Sequence, residues 1–156
     1  MKFDQYHISS TIKKNLEILE FKRPTDIQYK AIPSIMKGED VLAIAQTGTG
    51  KTAAFAIPVI DRIHKSKGSR KKAGIQCIVM VPTRELAGQI GAVFTALARH
   101  TRVTPLCIYG GVEQAQQIAQ LKEGVDILVA TPGRMFDLIS QGAVSVSCVN
   151  TLVLDE

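Results

Sequence analysis

Five short apolar runs constrain the fold of this chain more than any other feature of its sequence. Several of them are apolar at consecutive positions, which is typical of strands in a sheet with helices on both faces. The runs occupy residues 41–45, 75–81, 104–109, 126–130 and 151–154. Segments with a helical spacing of apolar residues separate them. This alternation predicts an α/β fold with a mostly parallel sheet and helices on both faces.

Start and stop signals place two more helices before the first run. Ser9 or Ser10 could cap one of them, and the other should begin at Thr25. Because proline lacks a backbone N–H group, Pro33 should break this second helix, and Pro58 should kink the helix that follows the first run.

The length and composition fit one domain without a membrane span. Of the 156 residues, 46% are apolar and 21% are charged, as in ordinary globular domains. We expect one compact domain, with a helical region over residues 1–38 and a core over residues 39–156. No stretch approaches the roughly 18 apolar residues of a transmembrane helix. Three widely spaced cysteines indicate buried free thiols in a reducing compartment, so we expect a cytoplasmic protein with no membrane partner.

The net charge of +5 favours a polyanionic partner, although an ordinary solvated basic surface would explain it equally well. Part of the excess lies in residues 65–72, which we interpret as an exposed basic loop.

A glycine-rich segment follows the first run. Residues 46–52 read Gln-Thr-Gly-Thr-Gly-Lys-Thr, and a helical segment comes next. Glycines let consecutive N–H groups turn toward phosphate oxygens, and a helix N-terminus favours an anion. In such a Walker A loop Lys51 reaches the β- and γ-phosphates, and the Thr52 hydroxyl binds Mg²⁺. The alternative is a glycine-rich turn without a ligand, but the flanking strand and helix favour nucleotide binding.

The last apolar run ends in two acidic residues, Asp155 and Glu156. A carboxylate at the end of a strand is the Walker B pattern, in which Asp155 would hold Mg²⁺, partly through water, and Glu156 would act on the attacking water. By itself the pattern also fits a solvated strand end. Its pairing with the phosphate loop favours the catalytic interpretation.

Taken together, these motifs resemble those of the DEAD-box RNA helicases of superfamily two, in the family's order and over almost the whole chain. The resemblance implies a RecA-like P-loop domain. Its landmarks are the Q motif at residues 21–28 with Phe3 upstream, motif I at 46–52, motif Ia at 82–87, the glycine doublet at 110–111, motif Ib at 131–134 and the first half of motif II at 155–156.

For the Q motif, the resemblance implies that Gln28 reads the adenine edge and Phe21 stacks on the ring. Without the family, Thr25 and Gln28 form a capping box at a helix start, and both interpretations are compatible. Two residues depart from the family's pattern, because Glu20 stands in place of a glycine and Asp26 in place of a proline. The complete set of residues implied for ATP comprises Phe21, Arg23, Gln28, Thr47, Gly48, Thr49, Gly50, Lys51 and Thr52, with Lys51, Asp155 and Glu156 as the catalytic residues.

Motifs Ia and Ib and the glycine doublet are, by the same resemblance, a surface for the RNA backbone. Its arginines offer forked donors to phosphate, and its glycines expose N–H groups, so binding should not depend on RNA sequence. The alternative is that the threonines are helix N-caps and that the proline of motif Ib occupies a first helical position. The residues implied are Pro82, Thr83, Arg84, Gly110, Gly111, Thr131, Pro132, Gly133 and Arg134.

The function implied is RNA-stimulated ATP hydrolysis coupled to local unwinding of RNA duplexes. In the family this requires a C-terminal RecA-like domain, which these 156 residues do not contain, and the sequence ends inside motif II. The alternative is a nucleotide- and RNA-binding module without turnover. An unpaired sheet edge could then pair with a second copy.

Overall fold

Four of the five predicted strands form one parallel sheet in a computed structural model, which describes residues 1–68 and 74–155. The strands are β1 (Cys77–Met80), β2 (Pro105–Ile108), β3 (Ile127–Ala130) and β4 (Thr151–Leu154). Their order is β2-β3-β1-β4, and each neighbouring pair is parallel. All four residues of β3 are buried. The predicted α/β fold with a parallel sheet is confirmed, as expected of a RecA-like domain.

Helices alternate with these strands in the way that parallel connections require. After a short 3₁₀ turn at Phe3–Gln5, the helices are α1 (Ser10–Ile18), α2 (Asp26–Met36), α3 (Lys51–Lys67), α4 (Arg84–Leu97), α5 (Gln114–Glu123) and α6 (Pro132–Ser140). The first three precede the sheet. The last three each connect one strand to the next in sequence.

The first apolar run, residues 41–45, is not a strand, so this prediction is wrong. The side chains of Leu42 and Ile44 are 90% and 89% exposed. A strand forms when its backbone groups find partners in a neighbouring strand. Within the described part of the chain, no strand pairs with this run.

Both interior prolines lie within unbroken helices. The predicted break at Pro33 is wrong, because α2 continues to Met36, and α3 likewise runs through Pro58. A proline inside a helix costs about 3 kcal/mol or more. Burial of the neighbouring side chains offsets this cost, since Ile32 and Ile57 are fully buried and each stabilises the fold by about 1.5–3 kcal/mol.

The described residues divide between two compact units. The first contains residues 1–68 and 96–102, and it has α2 packed against α3. Buried Asn15 ties α1 to the turn after α4, because its Nδ2 donates to the carbonyl oxygens of Leu97 and Arg99 at 2.9 and 2.7 Å. The apolar core of this unit includes Ile12, Leu16, Ile32, Ile57 and Ile60.

The second unit holds the sheet, most of α4, and helices α5 and α6. Side chains from the strands and from α6 form its core, which includes Ile78, Ile108, Leu128, Met135 and Leu138. Buried Asp126, just before β3, accepts a hydrogen bond from the backbone N–H of Thr104 at 2.8 Å. Because Thr104 immediately precedes β2, this bond holds the starts of two adjacent strands together.

Ser9 occupies the N-cap of α1 as predicted, yet its hydroxyl does not cap the helix. Both its backbone N–H and its Oγ donate to Oδ1 of Asp61, at 2.8 and 2.7 Å. The other carboxylate oxygen of Asp61 lies 2.8 Å from Nζ of Lys65. Asp61 is 1% exposed, so these donors compensate for burying its charge.

Part of the predicted basic loop is helical, so for that part the prediction is wrong. Residues 65–67 belong to α3, and Lys67 Nζ donates to the carbonyl of Arg102 at 2.7 Å. Residues 69–72 lie outside the described residues.

The cysteines are free, but only Cys77 is fully buried. Burial raises the pKa of its thiol to about 12 and that of half-buried Cys107 to about 11. Cys148 is exposed, so the prediction that all three thiols are buried is wrong. None of the described helices is both long and apolar enough to cross a bilayer.

Candidate functional sites

The predicted motifs of the second unit lie at one edge of the sheet. The final residues of the four strands are in register, with Met80 paired to both Ala130 and Leu154, and Ala130 also paired to Ile108. The segments that follow therefore emerge at the same edge. They are motif Ia after β1, the glycine doublet after β2, motif Ib after β3 and Asp155 after β4. In open parallel sheets, ligands bind at this carboxyl edge.

Motif Ia begins a helix, as the alternative interpretation predicted. The hydroxyl of Thr83 accepts a hydrogen bond from the backbone N–H of Leu86 at 3.2 Å, which caps α4. Pro82 and Arg84 are exposed. The guanidinium of Arg84 lies 5.5 Å from the ring centroid of Tyr109, within the range of a cation–π contact. The capping role is confirmed, and the contact with RNA stays a prediction.

The glycine doublet belongs to a tight connection between β2 and α5. We call residues 109–112 the glycine loop. Gly111 has φ +79°, a conformation that glycine adopts without strain. A side chain at this position would also meet the guanidinium of Arg84. The loop therefore favours glycine at position 111 for its backbone geometry, and a side chain there would displace the Arg84 guanidinium.

Motif Ib begins α6, with Thr131 at the N-cap and Pro132 at the first turn. The hydroxyl of Thr131 makes no capping bond, so only the proline half of the capping alternative is confirmed. Arg134 is half-buried, and most of its guanidinium donors bond to other groups of the protein. Its NH1 donates to Oε1 of Gln117 at 2.9 Å, and both terminal nitrogens donate to the carbonyl of Val112 at 3.2 Å.

Gln117 and Tyr109 are contact residues that the sequence did not single out. Gln117 is 4% exposed, and its Nε2 donates to the carbonyl of Tyr109 at 3.2 Å. Helix α5 carries glutamine at positions 114, 116, 117 and 120. No pattern in the sequence indicates which of the four is buried.

Asp155 follows β4 directly. Its backbone N–H donates to the carbonyl of Met80 at 3.0 Å, which extends the ladder with β1 by one residue. The second predicted carboxylate, Glu156, lies outside the described residues.

In the first unit, the phosphate loop leads into the start of α3. Gly48 and Gly50 have φ +83° and +81°, in the left-handed region that glycine adopts without strain. Thr49 Oγ1 donates to the carbonyl of Gln46 at 2.6 Å and holds the turn. Gly50 is the N-cap of α3, and no side chain caps this helix. A helix start of this kind leaves backbone donors suited to phosphate.

Gln28 is 1% exposed and connects the Q motif to the phosphate loop. Its Oε1 accepts from the backbone N–H of Thr25, and its Nε2 donates to the carbonyl of Gly50, both at 3.0 Å. Thr25 and Gln28 form the predicted capping box at α2. A side chain at position 50 would collide with the Gln28 amide. An amide has a second N–H and a second lone pair, so a further partner remains chemically possible.

The aromatic residues of the Q motif region line a cleft of about 670 Å³. The rings of Phe3 and Phe21 meet edge to face with centroids 6.3 Å apart. Glu20 and Arg23 contribute charged groups to the same cleft. These residues lie in the same compact unit as the phosphate loop.

Comparison with known proteins shows the family that the motifs resemble. The family model described as DEAD/DEAH box helicase matches residues 25–156. The chain is 44% identical over its whole length to the ATP-dependent RNA helicase DBP3 of Saccharomyces cerevisiae, of which it covers 29%. It is 45% identical over 96% of its length to DBP3 of Vanderwaltozyma polyspora, of which it covers 28%.

A bacterial relative gives a similar result. The chain is 41% identical over 99% of its length to the DEAD-box ATP-dependent RNA helicase CshA of Bacillus cereus, of which it covers 28%. The chain thus spans less than a third of the length of each of these relatives.

Proposed function

The chain belongs to the DEAD/DEAH box helicase family, and from this membership we propose that it is the N-terminal ATP- and RNA-binding domain of an ATP-dependent RNA helicase. The full reaction proposed is RNA-stimulated ATP hydrolysis coupled to local unwinding of RNA duplexes. The relatives that carry such names are more than three times longer than the matched region. The proposal therefore assigns unwinding to the longer protein and ligand binding to these residues.

One observation carries this proposal above the others. All four parallel strands end in register, and each is followed by a motif residue or segment at the same sheet edge. A carboxyl edge is where such sheets bind ligands. A shared edge brings these motif segments to one side of the sheet, where a single ligand could contact several of them.

The proposed nucleotide site uses the phosphate loop and the acidic motif. Lys51 contacts the β- and γ-phosphates, while backbone N–H groups of residues 47–52 surround them. Thr52 and Asp155 would hold Mg²⁺, partly through water, because hydroxyl and carboxylate oxygens suit this hard cation. The metal would neutralise charge that develops on the phosphates. Glu156 would orient or deprotonate the attacking water.

For the base, we propose that Phe21 stacks on adenine and that Gln28 reads its edge, with Arg23 nearby. The support is that Phe21 and Arg23 line one cleft, while Gln28 contacts the phosphate loop directly. Because Gln28 also caps α2, its proposed role has two parts. It would hold the phosphate loop in place and discriminate adenine from guanine.

For RNA, we propose backbone contacts from motifs Ia and Ib and the glycine doublet. Arg84 and Gly133 are exposed at the carboxyl edge, where phosphate could approach them. Contacts with phosphate carry no sequence information and weaken with salt. Binding should therefore be independent of sequence and sensitive to ionic strength.

We further propose that a C-terminal RecA-like domain of the same longer protein completes the ATP site, and that the protein acts in the cytoplasm. The greater length of the relatives supports the first point. Free cysteines, which are typical of reducing compartments, support the second.

A second candidate function is a nucleotide- and RNA-binding module without turnover that associates with a second copy. The observation that favours it is the edge position of β4, where Leu152 and Leu154 are 57% and 69% exposed. An exposed apolar edge strand is a surface on which another strand can pair.

Titration with fluorescent ATP and GTP analogues tests the nucleotide site. Lys51→Ala should weaken both nucleotides by about tenfold or more, because a charge-assisted phosphate contact contributes about 1.5–3 kcal/mol. Gln28→Glu keeps the acceptor for Thr25 but removes the amide donors. If Gln28 reads adenine, this variant loses the preference for ATP over GTP.

The matched control is Lys37→Ala, which removes an exposed lysine of the same unit. Its affinity for both nucleotides should equal that of the unmodified chain. An unmodified chain that binds ATP and GTP equally would refute the adenine assignment. Loss of both nucleotides to the same degree in Gln28→Glu would leave Gln28 with the role of holding the phosphate loop alone.

A further inference from the structure

Three side chains, one from each of helices α4, α5 and α6, contact the glycine loop. Arg84 lies over the ring of Tyr109 and beneath Gly111. Arg134 donates to the carbonyl of Val112 from the start of α6. Gln117 donates to the carbonyl of Tyr109 from within α5. The loop is therefore fixed at its first and last residues, with the glycine doublet between them.

Gln117 is the one member of this set that is both buried and bonded in two directions. Its Nε2 donates to Tyr109, and its Oε1 accepts from Arg134 at 2.9 Å. An amide can do both at once because it carries a donor and an acceptor on one rigid plane. A carboxylate lacks the donor, and an apolar side chain lacks both. Glutamine therefore suits this position chemically as well as in length.

The contacts of Arg134 limit what it can offer to RNA. Three of its five N–H donors point to Gln117 and Val112. In the described part of the chain, the other two make no protein hydrogen bond. An arginine held in this way loses little rotamer freedom when a phosphate arrives, because the protein has already fixed its plane.

We propose that Gln117 is a positioning residue for RNA binding, which sets the glycine loop and the Arg134 guanidinium in one arrangement before RNA arrives. Gln117 itself does not touch RNA. This inference rests on the proposed function, since it assigns a role within the same RNA surface. Its physical basis is preorganisation, in which a buried neighbour prevents the contact groups from sampling unproductive geometries.

Binding of a labelled single-stranded RNA oligonucleotide over a range of salt concentrations tests this proposal. Gln117→Met keeps the length of the side chain and removes both bonds, so we expect affinity to fall about tenfold. The slope of log K against log salt should also become shallower by about 0.7, the value for one lost phosphate contact on single-stranded nucleic acid. Gln117→Glu keeps the acceptor for Arg134 and should bind within about threefold of the unmodified chain.

Gln120→Leu is the matched control, since it removes an exposed glutamine from the same helix. It should match the unmodified chain in affinity and slope. The melting temperature reports the stability of each variant and hence its folded fraction at the assay temperature. A purely structural role would lower the melting temperature and leave the salt slope of the folded protein unchanged.

Several results would overturn the proposal. One is a folded Gln117→Met variant whose RNA affinity and salt slope are unchanged. Another is a loss of RNA binding that is fully explained by the fraction of the variant that is unfolded. If Gln117→Met does not fold, Gln117→Glu decides the question, because it keeps the acceptor for Arg134 and removes only the donor to Tyr109. A folded Glu variant whose salt slope becomes shallower by about 0.7 would overturn the positioning of Arg134 by Gln117. Failure of the unmodified chain to bind RNA would instead refute the proposed function itself.

Discussion

At the scale of single residues, the buried polar side chains make contacts that the sequence motifs did not predict. Gln28 links a helix cap to the phosphate loop, and Asp61 anchors the segment before α1. The sequence predicted the capping role of Gln28 because a capping box has a fixed local spacing. It could not predict Asp61, whose partner Ser9 lies 52 positions away.

Glu20, which stands where the family's pattern has glycine, adopts a strained backbone conformation. The N–H groups of Glu20 and Phe21 donate to the carbonyls of Glu17 and Leu16, as in a Schellman motif that ends α1. Glu20 therefore takes φ +61°, where glycine is favoured.

Replacing this residue should stabilise the fold. Glu20→Gly relieves a left-handed strain of about 1–2 kcal/mol and adds chain entropy to the unfolded state, so we expect a net gain of about 0.5–1 kcal/mol. Urea denaturation measures it. The control Glu17→Gly, inside α1, should lower the free energy of unfolding by about 1 kcal/mol. Equal destabilisation by both changes would contradict this explanation.

At the scale of elements, helix and strand signals were reliable where the partner of each element lies within the described chain. Four apolar runs became neighbouring strands, whereas residues 41–45 did not. Pro33 gave the opposite error, because α2 continues through the predicted break. The spacing of apolar residues shows which secondary structure a segment can form. Strand pairing and side-chain packing decide whether it forms that structure.

The edge position of β4 leads to a prediction about association. Leu154→Lys places a charge on the exposed edge strand and should shift any dimer toward monomer, because edge charges oppose strand pairing. Light scattering at several concentrations measures the molar mass. The control Val146→Lys changes another exposed apolar residue outside the strands and should have no effect. If the unmodified chain is monomeric at about 100 μM, self-association with a dissociation constant below about 100 μM is excluded.

At the scale of the whole molecule, the nucleotide and RNA residues divide between two compact units. Phosphate-loop and Q-motif residues belong to the first unit, while Asp155 and the predicted RNA surface belong to the second. Each unit has its own apolar core and its own polar anchors. In the proposed function, these residues bind ATP and RNA, whereas unwinding belongs to the longer protein.

This division predicts the behaviour of the 156 residues in a helicase assay. They should bind single-stranded RNA and adenine nucleotide but should not separate a short duplex when ATP is added. A labelled duplex with a displaced-strand readout measures this, and a full-length relative provides the positive control. Robust ATP-dependent strand separation by the chain alone would contradict the assignment of unwinding to the longer protein.

The sequence by itself determined the α/β class, the parallel sheet and the positions of the motifs, because strand hydrophobicity and loop glycines are local properties. Only the tertiary structure brought motifs Ia and Ib, the glycine doublet and Asp155 to one sheet edge in register. It alone identified Gln117 among four similar glutamines and showed Arg134 holding the glycine loop. These facts depend on contacts between distant segments, which no local pattern specifies.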